Sequence, residues 1–203
     1  MFARWIAIIL ALSTLARAAF AQEQKGWDQC TGREGPIPDI VIKGCSEIIQ
    51  NAQSASAILA TAHNNRGVAY RLKKEYDLAL SDYNEAIRLK PNSASHYNNR
   101  GIVYRTKHDY DRAIADYDKA IWLKGDYVAA YYNRALANSD RGEYDKALAD
   151  FTVVLQFNPR NALALYARGV TFSKRGNVDA ANADIDTAKS INPDVATEFD
   201  QSQ

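Results

Sequence analysis

Apolar and polar residues follow a helical period through most of the chain, and one arrangement of them returns every 34 residues. Between Ala94 and Ile121, the large and small apolar residues stand three or four positions apart, which places them on one side of a helix. The polar turn Lys107-His108-Asp109 interrupts the pattern. The pattern therefore predicts a first helix from about Ala94 to Thr106, a short turn, and a second helix that begins near Tyr110.

The same segment occurs four times. Its copies are His63-Asn64-Asn65-Arg66-Gly67, Tyr97-Asn98-Asn99-Arg100-Gly101, Tyr131-Tyr132-Asn133-Arg134-Ala135 and Leu165-Tyr166-Ala167-Arg168-Gly169. A fixed period of this length is typical of repeat proteins, in which each unit buries its apolar side against its neighbours. We therefore predict an all-α fold in which residues 55–195 form four helix–turn–helix repeats, at roughly 60–93, 94–127, 128–161 and 162–195.

The recurring residues resemble the tetratricopeptide repeat family, which has a glycine, an alanine, an aromatic residue and a closing proline at fixed positions. The glycine column is Gly67, Gly101, Ala135 and Gly169, the alanine column is Ala79, Ala113, Ala147 and Ala181, and the aromatic column is Tyr83, Tyr117, Phe151 and Ile185. The resemblance covers about two thirds of the chain and implies a right-handed α-solenoid. Small residues let two helices approach closely, so Gly67, Gly101, Ala113 and Gly169 are expected to be structural.

The chain departs from the family pattern just before the glycine column, where arginine replaces leucine in every unit. These residues are Arg66, Arg100, Arg134 and Arg168, and each unit also has an aspartate at a fixed distance, namely Asp82, Asp116, Asp150 and Asp184. The paired recurrence predicts a ladder of Arg–Asp ion pairs, either within units or between them. We expect a structural role for Arg100 and Asp116, since each arginine has its own aspartate.

The N-terminal residues have the features of a secretory signal peptide. Arg4 gives a basic start, an apolar run extends from Trp5 to Leu15, and Ala19-Phe20-Ala21 is an A-x-A cleavage site. An uncleaved membrane anchor is the alternative, but this run is short for a hydrocarbon core about 30 Å thick. Residues 1–21 are therefore predicted to be removed, which places the mature chain in the periplasm of a Gram-negative bacterium or outside the cell.

Residues 22–54 are predicted to form an N-terminal arm. Several glycines and prolines make an irregular structure the expectation from Gln22 to Pro38, and helical spacing begins at Asp39. We interpret that helix as a degenerate half-repeat, with Cys45 at the position of Tyr83. Cys30 and Cys45 are the two cysteines of an exported chain, which favours a disulfide over two unrelated thiols.

The remaining residues, 196–203, are a predicted C-terminal tail. Val195 and Phe199 are four residues apart, and we expect them to form a last turn that covers the end of the repeats.

Composition narrows the classes of function. The 25 basic and 24 acidic residues nearly cancel, so the charge gives no footprint for nucleic acid or for anionic lipid. Metal-binding and nucleophile motifs are absent from the sequence, and His63, His96 and His108 do not form an H-E-x-x-H arrangement. We therefore predict no catalytic residue, no metal, no cofactor, and no stable membrane insertion after cleavage.

The family resemblance implies a concave groove, lined by the first helices, that holds an extended peptide or a partner helix. The corresponding residues here are Asn64, Asn65, Arg71, Asn98, Asn99, Arg105, Tyr132, Asn133 and Tyr166. Asparagine amides both donate and accept hydrogen bonds, and tyrosine offers a flat apolar ring with a polar tip. The alternative for Asn65, Asn99 and Asn133 is that they only satisfy nearby backbone groups.

The expected function is that of a periplasmic protein–protein interaction module or assembly scaffold. The cysteine-containing arm joined to Asn-Asn-Arg-Gly repeats resembles small secreted tetratricopeptide proteins of alphaproteobacteria. Two alternatives remain: an adaptor for envelope hydrolases, and a self-assembling structural protein whose copies form a homo-oligomer.

The export prediction is tested at the N-terminus. Because residues 1–21 have the three parts of a signal peptide, the mature protein should begin at Gln22 and appear in a periplasmic extract. Intact-mass measurement and N-terminal sequencing of protein from fractionated cells would show this. A chain that keeps Met1 and stays in the membrane fraction would contradict it.

Overall fold

The structure is a computed structural model, and it describes residues 24–33, 35, 37–50 and 54–201. The predicted signal peptide lies outside these residues. The helices are α1 at residues 24–30, α2 Pro38–Gln50, α3 Ser56–Leu72, α4 Tyr76–Leu89, α5 Ala94–Thr106, α6 Tyr110–Leu123, α7 Val128–Asp140, α8 Tyr144–Phe157, α9 Ala162–Arg175, α10 Val178–Ile191 and α11 Val195–Gln201. Within these ranges the chain has helices and no strand, which confirms the predicted all-α fold.

The helices belong to two compact units, and the first of these ends at Pro91 and contains α1 to α4. In this unit α2 packs on α3, and α3 packs on α4. The expectation of an irregular segment up to Pro38 was wrong in part, because residues 24–30 are helical. That helix is short, contains one of the expected breakers, Gly26, and ends before the glycines Gly32 and Gly35.

The predicted disulfide between Cys30 and Cys45 is present, and it joins α1 to α2. Both cysteines are buried in a core cluster that includes Val41 and Ile48. The two helices touch closely at Gly44, where an added Cβ would lie 2.6 Å from the carbonyl oxygen of Gly26. The bond therefore holds two helices together at a contact that has no room for a side chain.

The second unit contains α5 to α11. It consists of three helix pairs, α5 with α6, α7 with α8, and α9 with α10, and α11 packs on α9. The predicted bounds of the first helix and the start of the second, near Tyr110, agree with the structure. At the C-terminal end, Val195 of α11 is fully buried in a cluster with Val154 and Leu165.

In three of the four repeats, close approach of the two helices depends on a glycine in the first helix, whereas Ala135 stands at that position in the third repeat. An added Cβ at Gly101 would lie 2.7 Å from Cε1 of Tyr117, and one at Gly67 would lie 2.8 Å from Cε1 of Tyr83. Both tyrosine rings are fully buried. At Gly67 and Gly101 the bare backbone of the first helix is thus covered by an aromatic ring from the second, and a Cβ added at either position would overlap that ring.

The turns inside the four helix pairs share one unusual backbone position. It has a positive φ in each repeat, at Lys74 (62°), His108 (59°), Gly142 (86°) and Gly176 (91°). Glycine adopts this left-handed conformation without a steric cost, whereas a residue with a Cβ does not. The turn geometry is therefore the same whether or not the local residue favours it.

In the described part of the chain, every helix is too short or too polar to cross a membrane.

Substitution of Gly101 should test the close contact. We expect Gly101→Ala to destabilise the fold by about 1–3 kcal/mol, because the new methyl group overlaps the Tyr117 ring. Gly125→Ala is the matched control, since nothing lies within 4 Å of a Cβ at that position, and it should change stability by less than about 0.5 kcal/mol. Thermal and urea unfolding of the two variants would separate them, and equal losses would contradict the packing role of Gly101.

Candidate functional site

The Arg–Asp ladder lies within the repeats, between the two helices of each pair. Arg100 donates from Nε to Oδ2 of Asp116 at 2.8 Å and from Nη2 to Oδ1 at 2.7 Å. The same two bonds join Arg66 to Asp82, Arg134 to Asp150, and Arg168 to Asp184. Bidentate pairing of this kind fixes both distance and orientation. These arginines therefore belong to the framework that holds the first helices in place.

The first pair of the ladder differs from the second by one histidine. His63 Nδ1 lies 2.7 Å from Oδ1 of Asp82. Burial raises the pKa of Asp82, but the hydrogen bonds from Arg66 and His63 outweigh burial and hold that pKa below its ordinary value. Burial dominates at Asp116, whose pKa is raised even though Arg100 lowers it.

The two shifts have opposite consequences for stability. Asp82 has a folded-state pKa below its unfolded value, so its contribution is present above the unfolded pKa and is lost as the pH falls through the folded pKa. Asp116 has a folded-state pKa above its unfolded value. Folding favours the protonated form of Asp116. The stability that this form contributes is lost as the pH rises through the folded-state pKa.

In the second unit, α5, α7 and α9 lie side by side, and their contacts define the candidate site. Equivalent positions in these three helices are Asn98, Tyr132 and Tyr166, and Ile102, Leu136 and Val170. We call the surface formed by these six residues the first-helix face. It is mainly apolar, and most of its residues are partly exposed, whereas Asn98 and Leu136 are buried.

Two of the predicted site residues in this unit pair with each other. Asn133 donates from Nδ2 to Oδ1 of Asn98 at 2.9 Å, and Asn98 is buried. Arg105 is also buried, and its Nη1 donates to Oδ2 of Asp140 at 2.9 Å. Each of these bonds joins α5 to α7. The side chains of Asn98, Asn133 and Arg105 are therefore used to align first helices, a role that their spacing within one helix did not reveal.

The first unit uses an asparagine in the same way. Asn65 donates from Nδ2 to the carbonyl oxygen of Cys30 at 3.2 Å, which ties α3 to the end of α1. Asn64 in turn donates to Oδ1 of Asn65 at 3.2 Å. Arg71 lies near the buried hydroxyl of Tyr83. Asn65 thus satisfies a backbone group, as the structural alternative for the asparagine column predicted, whereas the partner of Asn133 is the side chain of Asn98.

Tyr132, Tyr166 and Asn99 remain partly exposed. The Tyr132 ring packs edge-to-face on Phe151 at 5.8 Å, and its hydroxyl is buried, which raises the pKa of Tyr132 to about 12. The accessible part of Tyr132 is therefore its apolar ring rather than a polar tip. The Tyr166 ring lies 5.3 Å from the ring of Phe199.

A small pocket that the sequence analysis did not predict opens beside Phe199. It has a volume of about 100 Å³, with Leu136 and Val170 in its apolar wall and Asp140 and Lys174 among its polar residues. Ser139 of α7 and Thr171 of α9 share a buried hydrogen bond of 3.1 Å beside it. The spacing of Val195 and Phe199 predicted a covering turn, but not that Phe199 would reach the first-helix face.

Comparison with known families gives the chain its class. Models of the tetratricopeptide repeat match residues 60–93, 94–127 and 128–161, which together make up half of the chain. The chain therefore belongs to the tetratricopeptide repeat family, and its repeats form a scaffold for protein–protein interaction. The structure adds a fourth helix pair, α9 and α10, which keeps the Arg168–Asp184 ion pair beyond the matched residues.

Solved structures show the same fold. YrrB, a tetratricopeptide protein with an unusual peptide-binding site, is 23% identical over 81% of this chain and 84% of its own, with a TM-score of 0.65. The MamA protein is 20% identical over 87% of this chain and 94% of its own, with a TM-score of 0.70. The repeat domain of Arabidopsis OM64 is 27% identical over 58% of this chain and 98% of its own, with a TM-score of 0.57. No curated protein matches the chain.

The framework role of the ladder predicts a coupling energy. Arg100→Ala should cost about 2–4 kcal/mol, because it leaves the buried carboxylate of Asp116 without its partner. Removing Asp116 as well should cost less than the sum of the two single changes. Urea unfolding of Arg100→Ala, Asp116→Ala and the double variant measures the difference.

The matched control for this cycle is Arg100→Ala combined with Asp184→Ala, whose bonds are made to Arg168 in the last repeat. Those two changes should be additive, because they have no partner in common. Additive losses in the Arg100–Asp116 cycle would show that the pair does not stabilise the fold.

Proposed function

We propose that the protein is a periplasmic binding module that holds a peptide or a segment of a partner protein on its first helices. Membership of the tetratricopeptide repeat family supports a role in protein–protein interaction. The location is supported by the signal-peptide features of residues 1–21, and the buried disulfide is suited to an oxidising compartment.

The binding proposal rests on a difference between polar and apolar side chains in the second unit. The charged and amide groups of Asn98, Arg105 and Asn133 are bonded within the unit. By contrast, Ile102 on α5 and Tyr166 and Val170 on α9 keep partly exposed apolar surface, and α7, which has buried Leu136 at the equivalent position, lies between these two helices. A row of apolar side chains on rigid helices is a suitable docking surface, because little ordering entropy is lost when a ligand binds.

The partner would be recognised mainly by apolar contact along the first-helix face. Aromatic anchors commonly dominate such interfaces, and Tyr166 is the accessible aromatic residue at the α9 end of this face. Tyr132 contributes its ring, and Asn99 lies next to the face with a partly exposed amide. The remaining predicted residues, Asn64, Asn65 and Arg71, belong to the first unit, whereas the first-helix face is defined within the second unit.

Crosslinking in cells, followed by mass spectrometry of the attached proteins, tests the proposal. A captured partner should bind Ile102→Ala and Tyr166→Ala at least about tenfold more weakly than the unchanged chain, a loss of about 1.4 kcal/mol. Asn99→Ala and Tyr132→Ala should also weaken it. Circular dichroism and thermal melts would show that each variant remains folded.

Trp122→Ala is the matched control. Trp122 is a large aromatic residue that is 74% exposed on α6, a second helix, and Lys119 lies over its ring. This change should leave capture of the partner intact. If Trp122→Ala abolished capture while the four first-helix variants bound normally, the interface would lie on the second helices and the proposal would be wrong. Capture of only the chain itself would instead favour self-assembly.

A further inference from the structure

The C-terminal helix α11 places one of its own side chains on the first-helix face. Val195 and Phe199 stand four residues apart and so lie on the same side of α11. Val195 is fully buried, and it anchors the start of the helix. Phe199 packs against Tyr166 and against the core cluster that contains Leu136. A residue of α11 therefore covers part of the surface that a partner would use.

Phe199 lines the pocket between α7 and α9 but does not fill it. The pocket beside it, about 100 Å³ in volume, reaches from α7 to α9 and has Leu136 and Val170 among its lining residues. The phenylalanine itself remains partly exposed. An aromatic ring held in this manner has an apolar contact surface on one side and solvent on the other, which makes it replaceable by a similar ring from another chain.

The charges around the pocket favour an acidic ligand. Asp140 is neutralised by Arg105, whose Nη1 lies 2.9 Å from Oδ2 of Asp140. Lys174 also lines the pocket, and its side chain is 44% exposed with Nζ 4.0 Å from Oδ1 of Asp140, beyond hydrogen-bond distance. On α11, exposed Glu198 and Asp200 flank Phe199. The occupant of the site is thus an aromatic residue between two acids, beside a partly exposed lysine.

We infer that the pocket between α7 and α9 recognises an aromatic side chain flanked by acidic residues, and that α11 is an internal copy of that ligand. The inference rests on the proposed function, because it names the chemistry of the partner that this end of the first-helix face accepts. A partner segment with an acid–aromatic–acid sequence binds by taking the place of Phe199, while Val195 keeps α11 attached to the unit.

An internal ligand lowers the apparent affinity for an external one. The apparent dissociation constant equals the intrinsic constant divided by the fraction of molecules in which the pocket is free. If Phe199 occupies the pocket in about nine molecules out of ten, an external ligand binds about tenfold more weakly than it would to a vacant pocket. Removal of the Phe199 ring should therefore strengthen the binding of a peptide supplied in solution.

A synthetic peptide with the sequence of residues 193–203, labelled with fluorescein, is the probe. Fluorescence anisotropy would compare its binding to the full chain and to the full-length Phe199→Ala variant. We expect the variant to bind at least about tenfold more tightly. A second peptide, in which alanine replaces the phenylalanine, should bind neither protein. Equal affinity of the two proteins for the first peptide, or equal binding of the two peptides, would overturn the inference.

The charge of Lys174 is tested in the Phe199→Ala background. Lys174→Glu should weaken binding of the peptide by at least about fivefold, and added salt should reduce the difference. Lys146→Glu is the matched control, because Lys146 is 63% exposed on α8, a second helix. If both charge changes had the same effect, general electrostatics and not the pocket would explain the binding.

Hydrogen exchange in the unchanged chain gives a second measurement that does not need a variant. An excess of the peptide should increase exchange in α11 around Phe199, because displacement exposes those amides, whereas constant exchange at saturating peptide would overturn the inference. Both readouts are independent of partner capture in cells. Failure to capture a protein would therefore count against the proposed function, and failure of the peptide to respond to Phe199→Ala would count against the inference alone.

Discussion

Contact between residues sixteen positions apart is the constraint on which every helix pair depends. At this separation Gly101 meets the Tyr117 ring, and Arg100 meets the carboxylate of Asp116. The first contact sets how near the two helices come, because the glycine has no side chain to hold them apart. The second sets their rotation, because a bidentate ion pair tolerates little misalignment. Neighbouring residues thus fix the distance and the orientation of the two helices together.

The ladder gives a structural role to many of the charged residues in a protein whose net charge is almost zero. The arginines and aspartates of the ladder form ion pairs inside the repeats. They therefore stiffen the framework and add little to the electrostatic field around the protein. Under the proposed function, contact with a partner falls to a different group of residues, mainly Ile102, Tyr166 and Val170. The ladder residues and the residues of the proposed binding surface thus occupy different positions of the same helices, so we expect substitutions on that surface to leave the fold intact.

The sequence predicted the fold far better than the candidate site. Helix bounds such as Ala94–Thr106, the four repeats and the disulfide all followed from period, spacing and cysteine count. The roles of Asn98 and Arg105 did not, because their partners lie on the next first helix, and the distance between helices is not contained in the period of one helix. Residues 24–30 were missed for a related reason: their helix is short, and it is held by a covalent bond rather than by a long apolar stripe.

The turn that closes each helix pair has a consequence for how such a protein evolves. Lys74 and His108 hold the left-handed conformation that Gly142 and Gly176 adopt freely, at a cost of about 1–2 kcal/mol each. The packed helices, and not the turn residue, must therefore dictate the path of the chain there. Natural selection can exchange these residues one at a time, since a poor choice weakens the protein slightly and leaves its shape unchanged. The turn residues can therefore change, and alter the surface of the protein, while the fold of the repeat is kept.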